Sequence, residues 1–99
     1  MIHANNSPRK QQKWIKLYIN GYTMFSLQAI KNLDNYLQDF LKGYELEVID
    51  ITENSDEAER KNIIATPVLI REFPLPERRL VGNLADKESI ILDLGLYTL

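Results

Sequence analysis

The sequence contains no cysteine and one histidine, His3. The first absence removes disulfides, thiolate metal sites and every cysteine nucleophile or redox reaction. The second removes histidine-based metal sites and triads, because one imidazole completes no ligand set. His3 itself is expected as a solvated residue of an N-terminal arm. Long apolar runs are also missing: none approaches the roughly 20 residues that span a bilayer, and residues 1–12 lack the apolar core of a signal peptide. Nor is there an excess of charge. Twelve basic residues face fourteen acidic ones, a net charge of −2, which disfavours a broad nucleic-acid surface. These absences predict a cytoplasmic protein with no cofactor, no metal, no membrane contact and no nucleic-acid partner.

What is present is enough for one core. Ninety-nine residues with 44% hydrophobic content fit one domain, expected over residues 13–99 behind a polar, disordered arm at residues 1–12. Trp14-Ile15-Lys16-Leu17-Tyr18-Ile19 mixes alternation with aromatic and β-branched residues and predicts a strand. Asn20-Gly21 ends it, and residues 22–25 lead into a helix capped by Thr23 or Ser26. Along that helix Leu27, Ile30, Leu33, Leu37, Phe40 and Leu41 form an apolar stripe, with Gly43 expected as its left-handed terminator. Residues 46–51 predict a second strand, parallel to the first through a right-handed crossover. A short helix should follow, with Asn54 and Glu57 as a capping box and a thin apolar face of Ala58, Ile63 and Ile64.

Residues 63–82 organise the rest. Thr66-Pro67 opens a strand at Val68-Leu69-Ile70, residues 73–77 turn, and Arg78-Arg79-Leu80-Val81 pairs back. Proline is tolerated at the first position of a strand, and the sequence leaves its peptide isomer open. Asp86 is the expected cap of a last helix over residues 87–97, with Ile90, Ile91, Leu94 and Tyr97 inward. Gly95 is expected to weaken its end by about 1 kcal/mol.

This β-α-β-α-β-β-α order, with Thr66-Pro67 before the third strand, is thioredoxin-like: an α/β single domain that begins with a βαβ unit. Five blocks carry a closer likeness. They are Lys16-Leu17-Tyr18-Ile19 with Gly21, Thr23 and Ser26; Val48-Ile49-Asp50; Ile64-Ala65-Thr66-Pro67; Pro74 with Pro76; and Arg79-Leu80-Val81-Gly82-Asn83-Leu84. Together they closely resemble the KaiB family of bacterial circadian-clock proteins, over about residues 13 to 96. The resemblance implies a non-enzymatic adaptor that binds a KaiC-type ATPase, with a KaiA-like or sensor-kinase partner and a homo-oligomeric state, tetramer or dimer. It also implies two packings of the second half of the chain, the thioredoxin-like one and the family's ground-state rearrangement, which coexist when they differ by a few kcal/mol. The runs 63–70 and 89–96 are too short for periodicity to separate helix from strand.

The candidate partner-binding residues are Tyr22 and Phe25, in the loop where a thioredoxin holds its cysteines, and Lys61 and Arg79. Pro67, Pro74, Pro76, Gly82, Asn83 and Asp86 are the candidate switch or hinge residues. Arg71, Arg78 and Arg79, with Arg60 and Lys61, suggest a basic cluster for a phosphate or acidic partner, or a strand edge blunted by charge. No catalytic constellation appears; Asp50 and Asp86 are not placed together by any pattern. The chain departs from the family at Met24, where many members carry proline. It departs again at Pro74-Leu75-Pro76 in place of three prolines, and at Gly82-Asn83-Leu84-Ala85 in place of Gly-Asp-Leu-Ser.

Overall fold

Alternation in the first strand decides the architecture. In the computed structural model, which describes residues 12–82 and 84–96, β1 (Lys13–Ile19) is the inner strand. Ile15, Leu17 and Ile19 are fully buried on one face and Tyr18 on the other. A strand covered on both sides needs neighbours on both edges. β2 (Tyr44–Asp50) runs parallel to it and β3 (Val68–Phe73) antiparallel, with a register irregularity at Trp14/Ile15. β4 (Arg78–Val81) pairs antiparallel with β3 and gives the order β2-β1-β3-β4.

α1 (Met24–Leu37) and α3 (Lys87–Asp93) share the larger core: Ala29, Leu33, Ile90 and Leu94 pack with Ile15, Leu17, Ile19 and Leu69. The opposite face carries a smaller cluster of Tyr18, Ile49, Val68 and Ile70, with Ile51 and Ile63 at its margin. α2 (Ser55–Arg60) lies on that side and buries no residue of its own.

Several local expectations hold. Thr23 caps α1 by accepting from the Ser26 amide at 3.1 Å, and Asp86 caps α3 by accepting from the Glu88 and Ser89 amides. The turn after β3 contains Pro74 and Pro76, and the peptides before Pro67, Pro74 and Pro76 are all cis.

Others are corrected. Leu27 is 48% exposed, because the buried line of α1 runs through Ser26 and Ala29, each one position before a predicted residue, and rejoins the predicted stripe only at Leu33. α1 stops at Leu37, so Leu41 enters the core from the following turn, and Gly43 (φ 91°) sets the entry to β2 rather than ending the helix. Asn54 forms no side-chain cap; its side-chain Nδ2 donates to the Asp50 carbonyl at 2.8 Å, while Glu57 turns toward the sheet. Ile64 is 96% exposed rather than part of an apolar face.

α3 ends at Asp93, and Gly95 (φ 65°) lies beyond it as its terminator: the Gly95 and Leu96 amides donate to the Leu92 and Ile91 carbonyls. Asn62 (φ 55°) closes α2 in the same way, with its own amide and that of Ile63 donating to Glu59 and Ala58. Both are Schellman endings, in which a left-handed residue satisfies the last free carbonyls. Residues 1–11 of the arm expected over 1–12, Asn83 and Tyr97 lie outside the described residues.

Candidate interaction surface

Strand direction divides the candidate residues between the two ends of the sheet. Ile19 pairs with Asp50, Tyr18 with Val68, and Val68 with Val81. Tyr22 and the start of α1 with Phe25, the Thr66-Pro67 step and Gly82 therefore meet at one end. The Gly82 amide donates to the Pro67 carbonyl at 2.9 Å, which ties two hinge candidates together. Pro74 and Pro76 sit at the far end, and Asp86 serves α3 as its cap.

The turn that leads into α1 is held from behind. Asp50 accepts from the Gly21 amide at 3.0 Å and from the Thr52 amide and hydroxyl. The Thr52 amide first, then its hydroxyl and the Gly21 amide, hold the Asp50 carboxyl below the usual range. Met24 and Phe25 are not loop residues as expected but the first residues of α1, which Thr23 caps; with Tyr22 ahead of them they point outward, Tyr22 64%, Met24 81% and Phe25 68% exposed. A fixed backbone that presents apolar side chains to solvent is suited to protein contact.

On the α2 side of the sheet, charges alternate in a connected chain. Tyr18 donates its hydroxyl to Glu57 at 2.7 Å, and Lys16 lies 3.7 Å from Glu57 and 3.4 Å from Glu72. Lys61 bridges Glu72 at 2.9 Å and Glu77 at 3.2 Å, and Glu77 also receives Arg79. Arg60 pairs with Glu57. Burial by itself would lower the Lys61 ammonium, but its hydrogen bonds to Glu72 and Glu77 outweigh that and raise it. The Tyr18 hydrogen bond, ahead of Arg60 and Lys16, holds Glu57 low against its own burial. Lys61 and Arg79 thus belong to one network, joined through Glu77.

The basic cluster does not assemble. Arg71 is only 5% exposed and faces the larger core side, where it donates to the Leu94 and Pro76 carbonyls. It satisfies the end of α3. Arg60, Lys61 and Arg79 are paired with carboxylates. Asp50 and Asp86 likewise act separately, Asp50 tying Gly21 to Thr52 and Asp86 capping α3; the Ser89 hydroxyl first, then its amide, holds Asp86 low.

The sequence reading missed Tyr18, Glu57, Glu72 and Glu77 as a polar unit. Alternation in β1 puts Lys16 and Tyr18 on one face, a usable signal, but nothing local reveals which carboxylates come to meet them. Among the described residues, no group of three His, Cys, Asp or Glu side chains could hold a metal ion. No described helix is long and apolar enough to cross a membrane.

A parallel βαβ unit, an antiparallel hairpin entered through a cis proline and helices on both faces define a thioredoxin-like domain. Solved structures agree: the N-terminal domain of Synechococcus elongatus SasA superposes with a TM-score of 0.71 at 17% identity, covering 100% of this chain and 98% of that one. Mitochondrial thioredoxin 3 from Saccharomyces cerevisiae gives 0.68 at 16%, covering 88% and 79%. The KaiB domain model matches residues 16–95. The circadian clock oscillator protein KaiB of Synechococcus elongatus is 44% identical over 91 residues, which is 91% of this chain and 88% of that protein. That of Cyanothece sp. is 41% identical over 91 residues, 91% and 87%. The chain belongs to the KaiB family.

Proposed function

We propose that this chain is a non-enzymatic KaiB-type adaptor of the circadian clock, which binds a KaiC-type ATPase through protein–protein contact. The observation that carries the reading is 44% identity to a circadian clock oscillator protein over 91% of the chain. The exposed Tyr22, Met24 and Phe25 supply apolar anchors, and the Lys61–Glu77–Arg79 network supplies a charged, pre-ordered flank. No cysteine is present for thioredoxin chemistry.

The reading includes oligomer and fold exchange. Pro67, Pro74, Pro76, Gly82, Asn83 and Asp86 frame the segment that would repack, and the exposed Ile64, Leu75, Val81 and Leu92 are apolar surface that a homo-oligomer, tetramer or dimer, would cover. A KaiA-like protein or a sensor kinase with a domain of this fold is the second partner class. The departure at Gly82-Asn83-Leu84-Ala85 favours a second reading, a KaiB-fold protein in stress response or signalling without a timing role. The test is binding of the purified chain to the KaiC-type ATPase of its own cell, measured with wild type, Tyr22→Ala/Phe25→Ala and Arg79→Ala. Binding that weakens in both variants supports the reading, and no binding by wild type with ATP present overturns it.

A further inference from the structure

Among the described residues β4 has one neighbour, β3, so one side of its backbone is left without a strand partner there. The Gly82 amide bonds inward to Pro67, and Gly82 and Pro67 continue the Val81↔Val68 register. Inward and outward bonding alternates along an antiparallel strand. Arg78, Leu80 and Gly82 therefore bond to β3, while the N–H and C=O of Arg79 and Val81 point out.

Two concavities flank this edge, one on each face. On the α2 side a groove of about 230 Å³ is walled by Ile63, Ile64, Val68 and Val81, with Arg79 at its rim. Ile64 is 96% and Val81 58% exposed there, and Arg79 is already engaged by Glu77 at 3.3 Å. On the α3 side a hollow of about 260 Å³ is walled by Leu80, Ala85, Asp86, Ser89 and Asp93. It carries two carboxylates, and Asp93 forms no ion pair among the described residues.

We propose that the β4 edge is a docking site for an extended peptide strand that alternates aliphatic and basic residues. Its backbone bonds to Arg79 and Val81, its aliphatic side chains enter the Ile64–Val81 groove, and its lysine or arginine side chains face Asp86 and Asp93. In strand addition the main chain supplies affinity and the alternate side-chain pockets supply specificity. The charge of each pocket selects the occupant. A second copy adding through β2 fits poorly: β2, the other free edge among the described residues, exposes Glu45 and Glu47, which carry the same charge as Asp86 and Asp93. The site is independent of the ATPase reading.

The probe is an acetylated, amidated octapeptide alternating valine and lysine, titrated into the isotope-labelled full chain, with a valine–glutamate peptide as control. The Arg79 and Val81 amides are expected to shift most, and the control peptide to leave them unmoved. Val81→Pro removes an outward N–H without touching the β3 ladder, and Asp93→Lys reverses the pocket charge; each should weaken binding about tenfold. Asp93→Lys carries the test alone where Val81→Pro does not fold. Unchanged affinity in Asp93→Lys, equal binding of the control, or shifts centred on β2 would overturn the proposal. So would concentration-dependent shifts of β4 without peptide, which would assign the edge to a second copy.

Discussion

The contact that fastens α2 to the sheet can be removed one atom at a time. Tyr18 is fully buried, and its hydroxyl donates to a carboxylate that is only 20% exposed. A hydrogen bond to a charged group contributes about 1.5–3 kcal/mol. Glu57 keeps Lys16 and Arg60 after Tyr18→Phe, so the expected loss is nearer about 1–2 kcal/mol. Glu57→Ala strands the buried hydroxyl without an acceptor and should cost about 1–3 kcal/mol. The double variant should cost little more than Glu57→Ala, a coupling of about 1–2 kcal/mol.

Urea titration is the assay, with the midpoint falling at unchanged slope. Tyr18→Phe within about 0.3 kcal/mol of wild type, or strictly additive losses, would refute the reasoning. The pH dependence has a definite sign. Glu57 is lowered in the folded state, so its contribution is complete above the ordinary glutamate value and fades as pH falls through its lowered value. Tyr18 is raised, by burial first and then by the Glu57 hydrogen bond, so its contribution is complete below about 10 and declines above it. Tyr18→Phe should remove the Tyr18 share of the alkaline decline and also shrink the acid part, because that hydroxyl is the first cause of the lowered Glu57.

Three further outcomes follow from packing and caps. Leu33→Ala should cost about 2–5 kcal/mol by thermal or chemical denaturation, whereas Leu27→Ala, on the exposed side of α1, should stay within about 0.5 kcal/mol. Asp86→Ala removes the acceptor of two α3 amides and should cost about 1 kcal/mol, with faster amide exchange confined to α3 and its packing partners. Gly95→Ala places a side chain at φ 65° against Arg71 and Arg78, and should destabilise by about 1 kcal/mol or more, read as a lowered melting temperature.

The described strands and helices were legible from period where they are long enough, as in the alternation around Leu17 and the three- and four-residue steps around Leu33, and from the Thr66-Pro67, Gly82 and Asp86 boundaries where they are short. Errors gathered where a side chain chose among tertiary partners. Asn54 and Glu57 match a capping box locally, yet a buried tyrosine hydroxyl outcompetes the helix end for the carboxylate. Arg71 reads as surface charge beside Arg78 and Arg79, but the strand period puts it with Arg78 on the larger core face, away from Arg79, and burial there brings it to the Leu94 and Pro76 carbonyls. Leu27 and Leu33 differ by six positions, and a 3.6-residue period cannot place both on one inward line once Ala29 and Ser26 are taken into it. The exposed loop at Tyr22 was legible as a place, from Asn20-Gly21 and the Thr23 cap, though its tether through Asp50 was not.

The most direct measurement of the central claim is size-exclusion chromatography with light scattering, on the chain alone and with a KaiC-type ATPase and ATP. A homo-oligomer that gives way over hours to a larger mixed complex is the predicted result. A chain whose mass is the same with and without the ATPase would contradict it.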